Sequence, residues 1–582
     1  MKSWLSKINL EIGLYILAFT LGGLVRFVLL GHTAPGDAEA RLALQAMDLV
    51  RGGSVVNAPE PGYILLTSLA MFLFDATNFT ARLWPALAGT LLIAAAWLIR
   101  DQIGRKPALI LAFLLALDPV LVADSRTASG SMLAVACLVL GGILLLRGRS
   151  AWAGAFLGLS LLGGPAVWPG VIGLGLAYWL FHDRLNGLFD PIESLNVKLL
   201  AFTGLAVFGL VGSLLLFAPT GISAAAGSLV AYLRGWAGPS GTSIPHLIGV
   251  ILAYQLPALA LALVGLVHGL RQKDPVDTML AVWLALALIL ALANTARSTL
   301  DVTWAAVPML VLAARQIGRL KATEPADILP VLGQAALTVV LILFFVYTLL
   351  FNPITAGASY PFEALIRMGM AIVLLVAVTG MVAWGWSQRV AATGLQYGVG
   401  LLLVIFSISA LFHALGYSRN PAAELISPSP FVASADLLGL TLKETIMTRP
   451  NPTTEPSIAV VNYPSDALRW TLRDYPQVVF TSLPITGFQP DIVISEQTST
   501  PELAAEYRGQ AMTWTKSPAW SLLAPYEWLR WWMYRDIPLE GMENHQIIYW
   551  MKSDEFPGGA AVNQPASSPA EPNSNGQDTN IQ

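Results

Sequence analysis

Apolar runs of roughly 20 residues recur along the first 415 positions of the chain and are separated by short polar segments. A helix needs about 20 mostly apolar residues to cross the hydrocarbon core of a bilayer. The pattern therefore predicts a mainly α-helical, polytopic membrane domain over residues 1–415 with about thirteen spans. These predicted spans are 9–30, 80–99, 107–124, 131–147, 151–167, 169–182, 198–217, 245–269, 276–293, 300–314, 329–351, 364–386 and 394–415.

The apolar segment 61–75 is short for a span, and counting it as one would invert the orientation of everything after it. Lysine and arginine collect on the cytoplasmic side of membrane proteins. With 61–75 as a juxtamembrane helix in the outer interface, fifteen such residues lie on one side and seven on the other. We therefore predict an uncleaved first span, a cytoplasmic N-terminus and a plasma-membrane location. The loops predicted to face outward are 31–79, 125–130, 218–244, 294–299 and 352–363.

The composition changes after residue 415, and everything beyond it is predicted to lie outside. Residues 416–456 are polar and proline-rich, which is typical of a linker, with one helix at 433–447. Three short apolar runs and a serine-capped helical segment then predict a small α/β domain over 457–552. The aromatic segment 526–536 suits an amphipathic helix on the bilayer surface. The tail 553–582 has no apolar period and is predicted to be disordered.

Composition supports the membrane assignment and excludes several other classes of protein. The chain is 55% hydrophobic and 12% charged, whereas soluble domains carry about 25% charged residues. A formal net charge of −3 gives no reason to expect nucleic acid as a partner. One cysteine, Cys137, allows no disulfide framework. The sequence has no nucleotide-binding GxxxxGK[ST] loop, no HExxH and no GxSxG.

The polar stretch 31–63, which follows the first span, is the strongest candidate for chemistry. It carries two carboxylates, Asp37 and Glu39, two residues apart. Either can act as a general base or bind a metal ion. Equally, both suit the start of a capped amphipathic helix that ends at Gly52, where acidic side chains favour the helix dipole. Spacing alone leaves these interpretations open.

Other polar residues lie near the predicted outer ends of spans. An arginine such as Arg126 can bind a phosphate through two hydrogen bonds, or it can extend its charged end to the membrane surface. The segment 218–244 suits either a cover over a lipid-linked substrate or a plain interface helix. The substrate-binding candidates are Arg41, Glu60, Tyr63, Arg126, Arg234, Arg297 and Asp301.

An ordered series of motifs resembles the GT-C glycosyltransferases, in the group with protein O-mannosyltransferases and aminoarabinose transferases (glycosyltransferase family 39). The matching segments cover about 130 residues, and Trp470–Pro476 is similar to outer-domain segments of archaeal and chloroflexi-type members. They are DAEARLALQA (37–46), APEPGY (58–63), ARLWPALAG (81–89), IGRKPALILAFLLALDP (103–119) and ADSRTASGSML (123–133).

The resemblance implies a membrane glycosyltransferase that takes a sugar from a polyprenyl-phosphate donor. Transfer would go, with inversion and without ATP, to a protein, lipid or glycan acceptor outside the cell. The family's first-loop acid serves as a base or helps to bind a metal. We therefore expect Asp37 as the base, with Glu39 as its neighbour or a metal ligand. Arg126, Arg234 and Arg297 would bind the donor phosphate. A divalent cation is the one cofactor that the resemblance suggests.

The sequence departs from the family pattern at two places. Ala38 occupies the position of the family's first acid, so Asp37 is displaced by one residue. The second outer loop has Ser129, Gly130 and Ser131 where the family has an acid, unless Asp124 or Glu60 substitutes. A catalytically degenerate GT-C protein that serves as an accessory in cell-surface glycan assembly is therefore the alternative. A lipid-linked sugar transporter is a weaker one, because neither internal repeats nor polar residues within spans are evident.

Overall fold

The computed structural model describes the chain in ten segments. They are residues 10–53, 59–185, 192, 195–320, 327–351, 362–418, 420–448, 455–482, 489–497 and 506–553. The predicted tail after 553 lies outside the described residues.

The helices follow the apolar runs of the sequence. In chain order they are α1 Leu10–Phe27, α2 Asp37–Val50, α3 Pro61–Phe74, α4 Asn78–Leu92, α5 Ala94–Leu98, α6 Arg100–Ile103, α7 Arg105–Leu117, α8 Pro119–Ser125, α9 Ser131–Leu146, α10 Ser150–Ser160, α11 Val167–Phe181, α12 Val197–Gly212, α13 Thr220–Gly235, α14 Ile244–Tyr254, α15 Leu256–Gln272, α16 Pro275–Ala293, α17 Val302–Gly318, α18 Ile328–Phe351, α19 Phe362–Gly385, α20 Gln388–Ala414, α21 Ala435–Thr448, α22 Asp466–Thr471 and α23 Pro525–Tyr534. The strands are β1 Phe431–Val432, β2 Ile458–Val461, β3 Val478–Thr481, β4 Ile492–Glu496, β5 Tyr507–Pro518 and β6 Met542–Lys552.

The chain divides into two compact units. The first contains the residues up to Val432 together with 466–470 and 515–544. The second contains 433–465, 471–514 and the residues from His545 onward. Two segments of the predicted 457–552 domain thus belong to the helical unit. The predicted boundary at 415 and the orientation of the termini stay predictions.

The first unit is an integral membrane fold. Among the described residues, eight helical stretches are long and apolar enough to cross a membrane, or ten if each of two bent helix pairs is one span. Every predicted span contains a helix, but α9 and α12 are shorter than a full span. The apolar stretch 150–184, which contains α10 and α11, is interrupted at Gly164 by a non-helical backbone conformation. The count of thirteen is therefore not confirmed. The segment 61–75 forms the short helix α3, as predicted.

The helices α7 and α8 meet at a bend of 51° in front of Pro119. Proline has no N–H, so it leaves the carbonyl four residues earlier, that of Leu115, without a helical partner. The fully buried Arg26 of α1 donates to this carbonyl at 3.0 Å and to that of Ala116 at 2.9 Å. A buried arginine thus satisfies the backbone groups that the break releases.

The helices α14 and α15 repeat this arrangement at a sharper bend of 89°. Pro257 leaves the carbonyl of Ala253 without a helical donor. Nη2 of Arg535, which is 4% exposed, donates to that carbonyl at 2.6 Å. At the same bend, Gln255 donates to both carboxylate oxygens of Asp118, so the two broken helices are joined at their breaks.

The predicted aromatic helix at 526–536 is confirmed as α23. One side of this helix packs against other parts of the first unit. Trp531 is 1% exposed and its indole N–H donates to the carbonyl of Ala423 at 2.7 Å. Trp532 donates to the carbonyl of Leu252 at the end of α14. These contacts belong to the first unit and pack α23 against the bent helix pair. The position of α23 at the bilayer surface stays a prediction.

The second unit is built on a sheet in which β2 lies between two parallel neighbours. Ile458 pairs with Val478 of β3 and with Ile492 of β4, and β6 runs antiparallel to β4. The predicted helix at 433–447 is confirmed as α21, and the three predicted strands are confirmed as β2, β3 and β4. The long strands β5 and β6 were not predicted. β5 carries no continuous apolar run, whereas β6 contains the apolar run 547–551, which is a sequence signal for a strand.

Candidate active site

The first-loop helix α2 begins where the sequence predicts it. Gly36 precedes the helix, Asp37 is its first residue, and Glu39 accepts the N–H of Gly36 at 3.3 Å. The helix ends at Val50, and Gly52 has a φ of +92°, which glycine adopts readily. Both carboxylates therefore lie in the first turn, where the helix dipole favours negative charge.

Glu39 is held by an arginine that the sequence analysis did not select. Arg82 of α4 donates from Nε to Oε1 at 3.0 Å and from Nη2 to Oε2 at 2.9 Å. The N–H of Ala128 in the second outer loop donates to the same Oε1 at 2.7 Å. Nη1 of Arg82 also donates to the carbonyl of Thr33 at 2.9 Å. Glu39 therefore joins the first loop, the second loop and α4.

Asp37 and Arg41, on the same helix, both contact the start of α22. Oδ1 of Asp37 accepts the N–H of Ala467 at 2.8 Å. Nε of Arg41 lies 3.0 Å from Oδ2 of Asp466, although the Arg41 side chain is 64% exposed. This segment belongs to the same structural unit as α2. Asp37 thus stabilises the N-terminus of another helix, and its role as a base stays a prediction.

Glu60 lies directly before α3 and faces the loop between α8 and α9, which is the second loop of the prediction. Its Oε2 accepts the N–H of Gly130 at 2.5 Å. Burial of the carboxyl group raises its pKa to about 7, the Gly130 hydrogen bond opposes this shift, and the charge of Asp124 adds to it. A carboxylate whose pKa is near neutrality can both accept and release a proton at physiological pH. The raised pKa of Glu60 therefore suits a general base.

The backbone at Gly164 fixes the position of Glu60. Gly164 has a φ of +76°, a region that disfavours residues with a side chain. A Cβ atom there would lie 2.3 Å from the carbonyl oxygen of Pro59 and 3.1 Å from Cα of Glu60. Only glycine lets the chain before α3 approach this closely.

Two further acids lie beyond Glu60. Asp124 is fully buried, and its Oδ1 accepts the hydroxyl of Ser131, one of the residues that replace the family's second-loop acid. Its Oδ2 has no hydrogen-bond partner within the described part of the chain. Asp301 accepts the N–H of Ser298 at 2.8 Å and lies within electrostatic range of Asp124. The fold thus brings Glu60, Asp124 and Asp301 to one region.

The acids do not fit a metal site. Across the described segments, no group of three His, Cys, Asp or Glu side chains is arranged to hold a metal ion. Both oxygens of Glu39 accept from the cationic Arg82, and Asp37 accepts a backbone N–H. We therefore derive no step through a divalent cation.

Arg126, expected to bind a phosphate, contacts the C-terminal end of α1. Its Nη1 donates to the carbonyls of Val25, Arg26 and Val28 at 2.8 to 3.0 Å. Its Nη2 donates to the carbonyl of Leu29 at 3.1 Å. Cations are favoured at helix C-termini. This contact fixes the guanidinium beside the pocket described next.

A pocket of about 140 Å³ lies between the first loop, the end of α20 and residues 421–432, all within the first unit. The charged side chains that line it are Glu39, Arg82, Arg126, His413 and Glu424. The sequence analysis missed His413 and Glu424. The available sequence signals were a histidine at the end of the last predicted span and a glutamate shortly after it.

Three further candidates are Tyr63, Arg297 and Arg234. The buried Tyr63 donates its hydroxyl to the carbonyl of Ala81 at 2.8 Å, which is a structural contact. Arg297 is 9% exposed and donates to the carbonyl of Asn294. Arg234 is exposed on α13. Their assignment to substrate binding stays a prediction.

The fold is similar to that of solved GT-C enzymes. ArnT from Cupriavidus metallidurans bound to undecaprenyl phosphate matches with a TM-score of 0.55 and 16% identity, over 92% of this chain and 98% of that chain. Apo ArnT from the same organism gives 0.53 and 18%, over 84% and 94%. The apo oligosaccharyltransferase of Archaeoglobus fulgidus gives 0.40 and 14%, over 82% and 65%. The ArnT likeness confirms that this chain has the GT-C fold.

No protein-family model and no curated protein matches the sequence.

Proposed function

We propose that the protein is a membrane glycosyltransferase that transfers a sugar from a polyprenyl-phosphate donor to an acceptor on the predicted outer side. The GT-C fold over almost the whole chain supports this class of reaction. The single observation that carries the proposal is Glu60, a carboxylate with a pKa of about 7 at the junction of the two outer loops.

In the proposed reaction, Glu60 removes the proton from the acceptor hydroxyl. The acceptor oxygen then attacks the anomeric carbon, the bond from that carbon to the phosphate oxygen breaks, and polyprenyl phosphate leaves. A single displacement of this kind inverts the anomeric centre. A general base typically contributes a factor of about 10² to 10⁴ to the rate.

Glu39 and Arg82 act in this proposal by positioning. The backbone N–H groups of Ala128 and Gly130 are bound by Glu39 and Glu60, respectively. Alternate N–H groups of the second loop are thus held by two carboxylates of the first loop. Asp37, the base expected from the sequence, stays in the proposal as the alternative base.

The test is transfer by the full-length protein in lipid nanodiscs, with radiolabelled polyprenyl-phosphate sugars and a membrane extract as the acceptor pool. We expect Glu60→Gln to lower the transfer rate by about 10² or more. Asp37→Asn tests the alternative base. Asp48→Asn, which changes an exposed carboxylate on the same helix, is the matched control and should leave the rate unchanged. Loss of transfer only in Asp37→Asn would assign the base to Asp37.

The second candidate function is a catalytically inactive accessory protein in cell-surface glycan assembly. Two observations favour it: serines stand in the second loop, and the carboxylates of Asp37 and Glu39 already bind protein groups. A folded protein that binds polyprenyl phosphate but transfers no sugar from any donor would support this function over the first.

A further inference from the structure

The chain between α12 and α13 contains a left-handed turn over residues 214–217, called the leucine turn below. Leu214, Leu215 and Leu216 have φ angles of +47°, +56° and +76°. A residue with a side chain is strained in this region because its Cβ atom approaches the following carbonyl oxygen, and consecutive residues there are rare. Such strain persists only where the surroundings compensate for it.

The side chains of the leucine turn are mostly uncovered by the protein itself. Leu215, Leu216 and Phe217 are 65%, 78% and 86% exposed. In water, these exposed apolar side chains would add to the cost of the strained backbone. Against lipid acyl chains the same side chains are favourably buried, and that burial offsets the strain. Phe202 and Leu205 of α12 are exposed as well, so the leucine turn continues an apolar surface of this helix.

The backbone of the leucine turn meets the main requirement for a place inside a membrane. N–H groups in the hydrocarbon core need partners within the protein, because water is absent there. Each N–H from Ser213 to Ala218 has such a partner. Five of them donate to backbone carbonyls, and that of Leu216 donates to the hydroxyl oxygen of Ser213 at 3.1 Å. The turn is therefore compatible with lipid although it is not helical.

The length of α12 gives a reason for an apolar turn at this position. The helix has 16 residues, or about 24 Å at 1.5 Å per residue, whereas the hydrocarbon core of a bilayer is about 30 Å thick. A shorter apolar segment makes the bilayer thin locally unless further apolar residues extend it. The leucine turn adds apolar length at the end of α12 that the sequence analysis predicts to face outward.

The end of α12 also contacts the backbone that fixes Glu60. A Cβ atom at Gly212 would lie 3.0 Å from Cδ2 of Leu162. A Cβ atom at Gly62 would lie 2.7 Å from Cβ of the same leucine. Gly62 follows Glu60 by two residues. Leu162 in turn precedes Gly164, the glycine in contact with Pro59 and Glu60, by two residues. One leucine thus lies between the end of α12 and the start of α3.

We propose that the leucine turn is buried in phospholipid acyl chains of the predicted outer leaflet, and that acyl-chain length, acting through Leu162, regulates the positioning of Glu60. In a bilayer of matching thickness, lipid covers the turn and α12 holds Leu162 in place. In a thinner bilayer the turn emerges into water, its strain is no longer offset, and the end of α12 shifts. The regulatory part rests on the proposed function, whereas the lipid contact does not.

The first experiment locates the leucine turn with nitroxide spin labels on the full-length protein in phosphatidylcholine nanodiscs. The native Cys137 is buried and is replaced by alanine. Leu216→Cys carries the label in the turn, Leu205→Cys is the lipid-facing control on α12, and Ser240→Cys is the exposed control in the predicted outer loop. We expect the Leu216 label to collide with oxygen and to lose collisions with a water-soluble nickel chelate, as at Leu205. The Ser240 label should show the reverse.

The second experiment compares acyl chains of about 14 and 18 carbons, which change the bilayer thickness. In the shorter lipid the Leu216 label should gain collisions with the nickel chelate. Amide hydrogen exchange of residues 161–166 should become at least about twofold faster there, while that of α17 stays unchanged. The transfer rate of the wild type should fall about tenfold or more, because small misplacements of a catalytic group are costly.

A polar turn is the matched variant. Leu215→Ser combined with Leu216→Ser should remove the dependence of exchange at 161–166 on chain length, whereas Leu205→Ser should keep it. A Leu216 label that the chelate reaches as readily as the Ser240 label overturns the lipid contact. A label that neither reagent reaches also overturns it, since protein then covers the turn. Exchange at 161–166 that is equal in both lipids overturns the regulation. Lipid-dependent exchange without any sugar transfer contradicts only the proposed function.

Discussion

The guanidinium of Arg82 meets the carboxylate of Glu39 at two points, where the side chains are only 6% and 12% exposed. The two residues are 43 positions apart in sequence. Because Glu39 also binds the second loop, this pair fixes the geometry on which the proposed reaction depends.

Removing one partner of this pair should destabilise the protein strongly. Arg82→Gln leaves a buried carboxylate without its cation, which typically costs about 3–5 kcal/mol. We expect the double variant with Glu39→Gln to recover part of that loss. Thermal unfolding in detergent measures the stability of the single and the double variant. Arg41→Gln, which removes an exposed ion pair, is the control and should cost less than about 1 kcal/mol. A similar cost for both arginines would contradict the structural role of Arg82.

The transfer rate should depend on pH through Glu60. The base must be deprotonated, so kcat/KM should rise with pH and level off above about 7. Between pH 4.5, the ordinary pKa of a glutamate, and about pH 7, the folded protein keeps Glu60 protonated. The unfolded chain has already lost that proton in this range. The contribution of Glu60 to the free energy of unfolding should therefore decrease as pH rises through that window. In Glu60→Gln this part of the pH dependence should vanish from thermal unfolding curves. If this pH dependence persisted in Glu60→Gln, it would contradict the assignment of the raised pKa to Glu60.

Gly164→Ala should impair transfer although Gly164 carries no functional group. Its φ of +76° and the 2.3 Å approach to the Pro59 carbonyl force the chain at Glu60 to move. A misplacement of about 1 Å can cost about 10²-fold in rate. The measurement is the transfer rate and its pH midpoint. Gly142→Ala, at a helical glycine with open space around it, should leave both unchanged. Equal rates in the two variants would exclude a positioning role for Gly164.

Two arginines near the end of α23 should differ sharply in their effect on stability. Arg535→Leu leaves the Ala253 carbonyl without its donor and removes the cation 3.9 Å from the Glu424 carboxylate, so we expect a loss of about 3 kcal/mol or more. Arg530→Leu removes an exposed pair with Asp536 and should cost less than about 1 kcal/mol. The unfolding midpoint of each variant in detergent checks this contrast. An equal shift for both variants would show that the hydrogen bond from Arg535 to the last turn of α14 contributes little to stability.

Local signals predicted the helices, because the apolar runs that cross a membrane are contiguous in sequence. The start and end of α2 followed from its acidic first turn and from Gly52, and β2, β3 and β4 from short apolar runs. The resemblance of the first 130 residues predicted the fold, which the likeness to ArnT confirms. In contrast, β5 has no continuous apolar run. The places of β5 and β6 beside other strands depend on distant pairing.

The sequence by itself predicted a helical membrane protein of the GT-C fold with carboxylates in the loop after its first span. Only the tertiary structure decided what each carboxylate does. Glu39 binds an arginine of α4, Asp37 a backbone N–H 430 residues away, and Glu60 the second loop. The reason is physical: a carboxylate's role depends on its desolvation and on its hydrogen-bond partners. Those partners come from segments far along the chain, which spacing within one loop cannot reveal.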